Sequence, residues 1–120
     1  MPEKPIFVRV LGDTPKVKML NYLIRVRGMD FSMSDIARNS DVGRATLHRL
    51  WKDFISMRVV IYTRQVGKAK LYRLNEENPF VKELVKLYKR LLVVETENFF
   101  ARHKELQYSP MIQKPSPQSS

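Results

Sequence analysis

The chain has 120 residues, of which 43% are hydrophobic, so it can form one domain with a packed core and is not compositionally disordered. Its 22 Lys and Arg residues outnumber its 12 Asp and Glu residues, and a net charge of +10 indicates nucleic acid more often than an anionic membrane or an acidic protein as partner. The absence of cysteine excludes disulfide bonds and thiol-ligated zinc, and no run of roughly 20 apolar residues predicts a membrane span.

The N-terminal part of the chain leads into a first predicted helix. No apolar run follows the charged start at Met1–Pro5, so we expect no signal peptide and a cytoplasmic location. Residues Ile6–Val10 alternate weakly, which predicts a short strand or an extended arm. Thr14 before a proline at position 15 is a typical helix start, and apolar residues then recur at helical spacing up to Gly28, which favours a left-handed stop.

Two further helices are predicted around a tight turn. After a small strand at residues 31–33, Ser34 is the expected cap of a brief helix over residues 35–39. Asp41–Gly43 is then a turn, and the third helix runs from Arg44 to about Ser56.

The spacing of apolar residues in these two helices fits a helix-turn-helix. Ala37 is the small residue expected where the two helices cross most closely. Apolar residues should lie one position before it and five, ten and thirteen positions after it, and they are Ile36, Val42, Leu47 and Leu50. Such a pattern also occurs by chance in helical pairs, but the basic hairpin that follows strengthens it.

The third predicted helix has one apolar and one basic face. At about 100° per residue, Leu47, Leu50, Trp51 and Phe54 cluster on one side. An α-helix fits the major groove of B-DNA, where arginine pairs with guanine and small apolar groups contact the thymine methyl group. The polar and small residues of the other face and the helix start are the candidate base contacts: Arg44, Ala45, Thr46, His48 and Arg49.

A β-hairpin with a basic tip is predicted after the third helix. Val59–Arg64 and Lys70–Leu74 favour strands, and Gly67 favours the turn between them. Between Arg44 and Arg73 there are eight basic residues and one acid, so this segment carries +7 of the net charge. A basic face is often merely solvated, but a soluble surface normally mixes both signs. The candidate contacts to the DNA backbone are Ser34, Lys52, Arg64, Lys68 and Lys70.

A long helix is predicted after Asn78, which again precedes a proline. Its apolar stripe starts at Phe80, loses its phase from Glu95 to Asn98 and resumes in a shifted phase, so we expect a bend or a short break there. Apolar residues beyond the core favour a dimer interface over a helix that folds back on its own domain. The candidate interface residues are Leu84, Tyr88, Leu91, Leu92, Phe99 and Phe100.

The order helix, short strand, helix, turn, helix, hairpin, helix predicts a mainly α protein with a small β-hairpin. This α+β arrangement is that of a winged helix-turn-helix with an extended C-terminal helix. The predicted division is an N-terminal arm or short strand (1–12), a winged helix-turn-helix domain (13–78), a dimerisation helix or helices (79–107) and a disordered tail (108–120).

Three stretches, LGDTPKVKMLNYLI, MSDIARNSDVGRATLHRLWKDF and RQVGKAKLYRLNEENPFVKELVKL, together span roughly residues 11 to 92. They resemble archaeal winged-helix DNA-binding regulators of the broad ArsR-like and MarR-like group. The resemblance implies a homodimer whose third helix reads the major groove and whose wing contacts the flanking backbone. Where relatives often have glycine and a capping serine in the turn, this chain has Asp41 and Gly43, so Asp41 is a candidate replacement for the cap.

Neither catalysis nor metal binding is indicated. His48 and His103 lie in different predicted helices without an acid spaced to orient them, so we expect no enzyme, metal or cofactor. The preferred interpretation is a sequence-specific transcriptional regulator that binds double-stranded DNA as a homodimer. The alternatives are a non-specific chromatin or nucleic-acid binder and a winged-helix protein-interaction adaptor. The cationic third helix argues against the adaptor but fits a non-specific binder equally well.

Overall fold

The computed structural model describes residues 3–103, and over this range the chain forms five helices and one two-stranded antiparallel hairpin. It is therefore a mixed α+β structure. The elements in chain order are α1 (Ile6–Leu11), α2 (Pro15–Arg25), α3 (Met33–Asn39), α4 (Arg44–Ser56), β1 (Val60–Val66), β2 (Ala69–Leu74) and α5 (Pro79–Arg102). The tail predicted over residues 108–120 lies outside the described residues.

The N-terminal segment is a helix, so the prediction of a strand or extended arm over residues 6–10 is wrong. Phe7 and Val8 are both buried, and two adjacent buried side chains fit one face of a helix better than the two sides of a strand. Phe7 packs against Tyr88 of α5 with ring centroids 5.6 Å apart. α1 forms against surfaces supplied by α2 and α5, which the local sequence does not contain.

Side-chain caps fix the starts of α2 and α3. As predicted, Thr14 Oγ1 accepts a hydrogen bond from the backbone N–H of Val17. The cap of α3 is Ser32 and not Ser34. Ser32 Oγ accepts from the N–H of Asp35, whose carboxylate accepts in turn from the Ser32 N–H. This reciprocal capping box starts α3 two residues before the predicted bound.

The core lies between the five helices and the hairpin, and it contains the apolar residues whose spacing predicts a helix-turn-helix. Ile36, Val42 and Leu47 are buried, and Leu50 is half-buried against the same core. The bounds of α4, Arg44 to Ser56, are those predicted. Burial of one side of α4 therefore fixes which of its side chains face solvent.

A single bridging residue, Phe31, pairs with the two-stranded hairpin. β1 and β2 pair antiparallel, and Gly67 closes the turn with φ of 60°, a left-handed conformation that favours glycine. The N–H and C=O groups of Phe31 and Tyr72 form two hydrogen bonds of 2.8 Å. The small strand predicted at residues 31–33 is thus a single bridging residue, and Met33 already belongs to α3.

α5 is one continuous helix, so of the bend or break expected near Glu95 the break does not occur. Asn78 caps its start, because Oδ1 accepts hydrogen bonds from the N–H groups of Phe80 and Val81. Val81 is buried, whereas Phe80 is 67% exposed and lies off the apolar face predicted to include it. Glu95 forms an ion pair with Arg9 of α1, so a polar residue at an inward position does not interrupt the helix.

Candidate nucleic-acid interface

The solvent-facing side of α4 carries the predicted base contacts. Arg44, Ala45, His48 and Arg49 are exposed, and Thr46 is half-buried. Lys52, predicted to contact the DNA backbone, continues this surface one turn further along the helix. Between residues 3 and 103, no carboxylate forms an ion pair with Arg44, Arg49 or Lys52. These cations are therefore available to an external anion.

The start of α4 is also open. Its N-cap is Gly43, and no side chain of the described residues caps it, so the expectation that Asp41 would do so is wrong. Asp41 instead has φ of 57°, and its carboxylate lies 3.6 Å from Lys18 Nζ. The first N–H groups of a helix that lacks a side-chain cap can bind an anion such as phosphate.

Ser34 lies in the first turn of α3 and is exposed. Because Ser32 supplies the cap, the Ser34 hydroxyl is not required for starting the helix. The Ser34 hydroxyl is therefore available for the contact to the DNA backbone that the sequence predicts for it.

The hairpin separates its basic residues into two groups. Lys68 and Lys70 flank the tip, are exposed and form no ion pair within the described part of the chain. Arg64 Nε and Arg73 Nη2 each lie 3.0 Å from a carboxylate oxygen of Asp30. The predicted backbone contact Arg64 is therefore held by an acid and is less available than the two lysines.

Asp30 is the residue that sequence reasoning missed. Its side chain is only 15% exposed, and this burial raises the pKa of the carboxyl, but hydrogen bonds from Arg64 and Arg73 outweigh that effect and the pKa lies below its ordinary value. Asp30 precedes the bridging residue Phe31, which brings the carboxylate beside β2. Only the pairing of distant segments reveals this contact, because 34 residues separate Asp30 from Arg64.

The six candidate dimer residues fall into two groups on α5. Leu84, Tyr88 and Leu91 are half-buried against the core of their own chain. Leu92, Phe99 and Phe100 are exposed, by 43%, 48% and 49%. Only the second group leaves a substantial apolar surface to be covered.

Comparisons with family models, curated proteins and solved structures find no match to this chain. Charge, burial and geometry therefore carry the functional assignment.

The described residues offer no metal centre and no membrane-spanning helix. No three His, Asp or Glu side chains among residues 3–103 come together as metal ligands. None of the helices within this range has the length and apolar character needed to cross a bilayer. His48 is exposed on α4, whereas the ring of His103 stacks on Phe99 with centroids 4.2 Å apart.

Proposed function

We propose that the protein is a sequence-specific regulator that binds double-stranded DNA through a winged helix-turn-helix. The observation that carries the proposal is the orientation of α4. Leu47, Trp51 and Phe54 are buried. Arg49 and Lys52 are consequently directed into solvent, and no carboxylate of the described residues pairs with either.

The proposed reading element is α4 in the major groove. Its N-terminal half combines exposed arginine and histidine side chains with the half-buried Thr46, which together offer donors and acceptors for base edges. Ala45 permits close approach because its side chain is small. Arg49 is the strongest candidate for direct readout, because a guanidinium can donate two hydrogen bonds to O6 and N7 of guanine.

The proposed backbone contacts surround this helix. Lys68 and Lys70 at the tip of the hairpin are unpaired cations, as above, and lie downstream of α4 where a wing would reach the flanking phosphates. Ser34 at the start of α3 and the uncapped N-terminus of α4 add hydrogen-bond donors. Phosphate contacts of this kind fix register and add salt-dependent affinity.

We further propose that two copies associate through the exposed apolar surface of α5. Leu92, Phe99 and Phe100 are presented on a helix that runs past the core. Their burial across a two-fold axis would let two copies of α4 read half-sites roughly 34 Å apart, one turn of DNA. The expected recognition sequence is therefore a palindrome.

The decisive experiment is selection of bound fragments from random duplex DNA, followed by mobility-shift titration of the selected site against random duplex. A palindromic motif and a preference of at least about 1,000-fold support the proposal. Equal affinity for all duplexes would favour the non-specific binder. Absence of duplex binding at low ionic strength would contradict both and favour the protein-interaction adaptor.

A further inference from the structure

A cavity of about 390 Å³ opens between the start of α1, one face of α2 and the turn before α4. Its volume falls in the range of small-molecule binding sites. Most of the residues that line it are polar or charged, although the surface they present to it together with Pro5, Val8 and the ring of Tyr22 is more apolar than polar. Neither the proposed DNA contacts nor the proposed dimer surface uses this cavity.

One buried amide in the cavity wall has an unmet hydrogen-bonding requirement. Asn21 is only 6% exposed, and its Oδ1 has no hydrogen-bond partner among the described residues. Native proteins rarely leave a buried acceptor unpaired, because the lost hydration is not replaced. The terminal torsion of asparagine is soft, so rotation of the amide about this bond can turn the oxygen toward a donor in the cavity that Asn21 lines.

The charged side chains that line the cavity carry a net charge of +1, which favours an anion: Lys4, Lys18 and Arg25 against Asp13 and Asp41. Asp13 is already neutralised by Lys4 and by Lys18, whose Nζ lies 3.8 Å from it. The hydrogen bond from Lys4 lowers the pKa of Asp13 against the opposing effect of burial, so this carboxyl stays ionised and paired. Arg25, in contrast, lies over the ring of Tyr22 at 5.5 Å and forms no ion pair within residues 3–103.

We propose that this cavity binds a small anionic molecule that also carries an N–H donor group. Asn21 and Arg25 are four residues apart on α2 and therefore lie on the same helix face. The N–H group of the ligand donates to Asn21 Oδ1, and its carboxylate or phosphate binds the Arg25 guanidinium. Free amino acids and nucleoside monophosphates both combine these two groups.

The position of the cavity connects it to α4. Asn39, Ser40 and Asp41 contribute to its lining. Asn39 ends α3, Ser40 follows it, and Asp41 begins the turn before α4. Lys18 Nζ donates a hydrogen bond of 3.2 Å to the Asp41 carbonyl oxygen. If the anion held by Arg25 also reaches Lys18, it would draw Lys18 from the Asp41 carbonyl and change the angle at which α4 leaves the turn. This regulatory step rests on the proposed function, whereas ligand binding itself does not.

Calorimetric titration and thermal unfolding with the twenty amino acids and with AMP, GMP, CMP and UMP test the site directly. We expect one of the two sets to bind and to raise the melting temperature. Asn21→Leu and Arg25→Gln should each weaken that binding by about tenfold or more, because each removes a charged or charge-assisted hydrogen bond. Lys16→Gln removes a cation from the same helix outside the cavity and should leave binding unchanged.

The responding set identifies the ligand chemistry. No response to either set, or equal responses from the wild type and both cavity variants, would overturn the proposal. Arg25 is exposed, so Arg25→Gln keeps the test decisive even if Asn21→Leu fails to fold.

The regulatory step is tested by titrating DNA with and without the bound probe. We expect the DNA dissociation constant of the wild type to change by about fivefold or more, within the usual range of coupling between two sites, and that of Arg25→Gln to stay constant. If the wild type binds DNA with the same dissociation constant with and without the bound probe, the coupling is refuted. Failure to bind DNA without any probe would instead contradict the proposed function.

Discussion

Trp51 of α4 packs edge-on against Tyr72 of β2, with ring centroids 5.1 Å apart and planes at 87°. Trp51 also meets Phe31 at 6.4 Å, and Phe31 is the residue whose backbone bridges Tyr72. One aromatic cluster therefore joins α4, the bridge and the hairpin. The distance between the proposed reading helix and the proposed wing depends on this cluster.

Replacement Trp51→Ala should lower the free energy of unfolding by about 3–5 kcal/mol, because it removes a large buried side chain and leaves a cavity. Denaturation in urea followed by circular dichroism measures this loss. Tyr62→Ala is the matched control, since Tyr62 also contacts Tyr72, at 5.7 Å, but is 52% exposed. Equal losses in the two variants would contradict a central role for Trp51.

Replacement Arg49→Ala should weaken binding to the selected DNA site by about 1–3 kcal/mol and relax base preference at one position. The reason is the loss of a bidentate donor to a base edge. Titration against the selected site and its single-base variants measures both effects. Arg90→Ala removes an exposed arginine from α5 and should change neither. A uniform loss over all sequences would assign Arg49 to the DNA backbone instead.

Replacement Lys68→Ala should weaken binding to every duplex to a similar extent. One phosphate contact fewer releases about one counterion fewer, so the slope of log K against log salt should become shallower by about one. Titrations between low and moderate salt measure the slope. Lys89→Ala is the matched control. It lowers the net charge by the same amount at an exposed position on α5, far along the chain from the hairpin. An unchanged slope for Lys68→Ala would remove the hairpin from the interface.

The pairing of Asp30 with Arg64 and Arg73 should make the hairpin sensitive to acid. The pKa of Asp30 in the fold is lower than its ordinary value near 3.9, so this pairing stabilises the fold above about pH 4 and is lost as pH falls through the folded pKa. Amide hydrogen exchange of β1 and β2 across this range measures the loss. Asp30→Asn should remove the pH dependence, whereas Asp53→Asn on the exposed face of α4 should retain it. The same profile in both variants would refute the assignment.

Local signals account for the parts of the fold that the sequence predicts correctly. The caps at Thr14 and Asn78 depend on residues within three positions, and the amphipathic period of α4 lies within one helix. The cap of α3 was also within reach, because Ser32 and Asp35 have the spacing of a capping box.

Contacts between distant segments account for the errors and omissions. Phe7 of α1 packs against Tyr88, and Glu95 of α5 pairs with Arg9, 86 residues earlier. The ion pairs of Asp30 with Arg64 and Arg73 and the unpaired amide oxygen of Asn21 likewise arise only when separate elements pack together. Composition and periodicity contain no information about such pairs.

Replacement Phe99→Asp should convert the proposed dimer into a monomer, because a carboxylate cannot be buried across an apolar interface without a partner. Phe80→Asp is the matched control: Phe80 is 67% exposed at the opposite end of the same helix and lies outside the proposed surface. Ending the chain before Val93 should have the same effect as Phe99→Asp and leave a folded domain, since the core contacts of α5 end at Leu91. Sedimentation equilibrium measures the mass of each variant. A dimer that survives both changes would place the interface elsewhere.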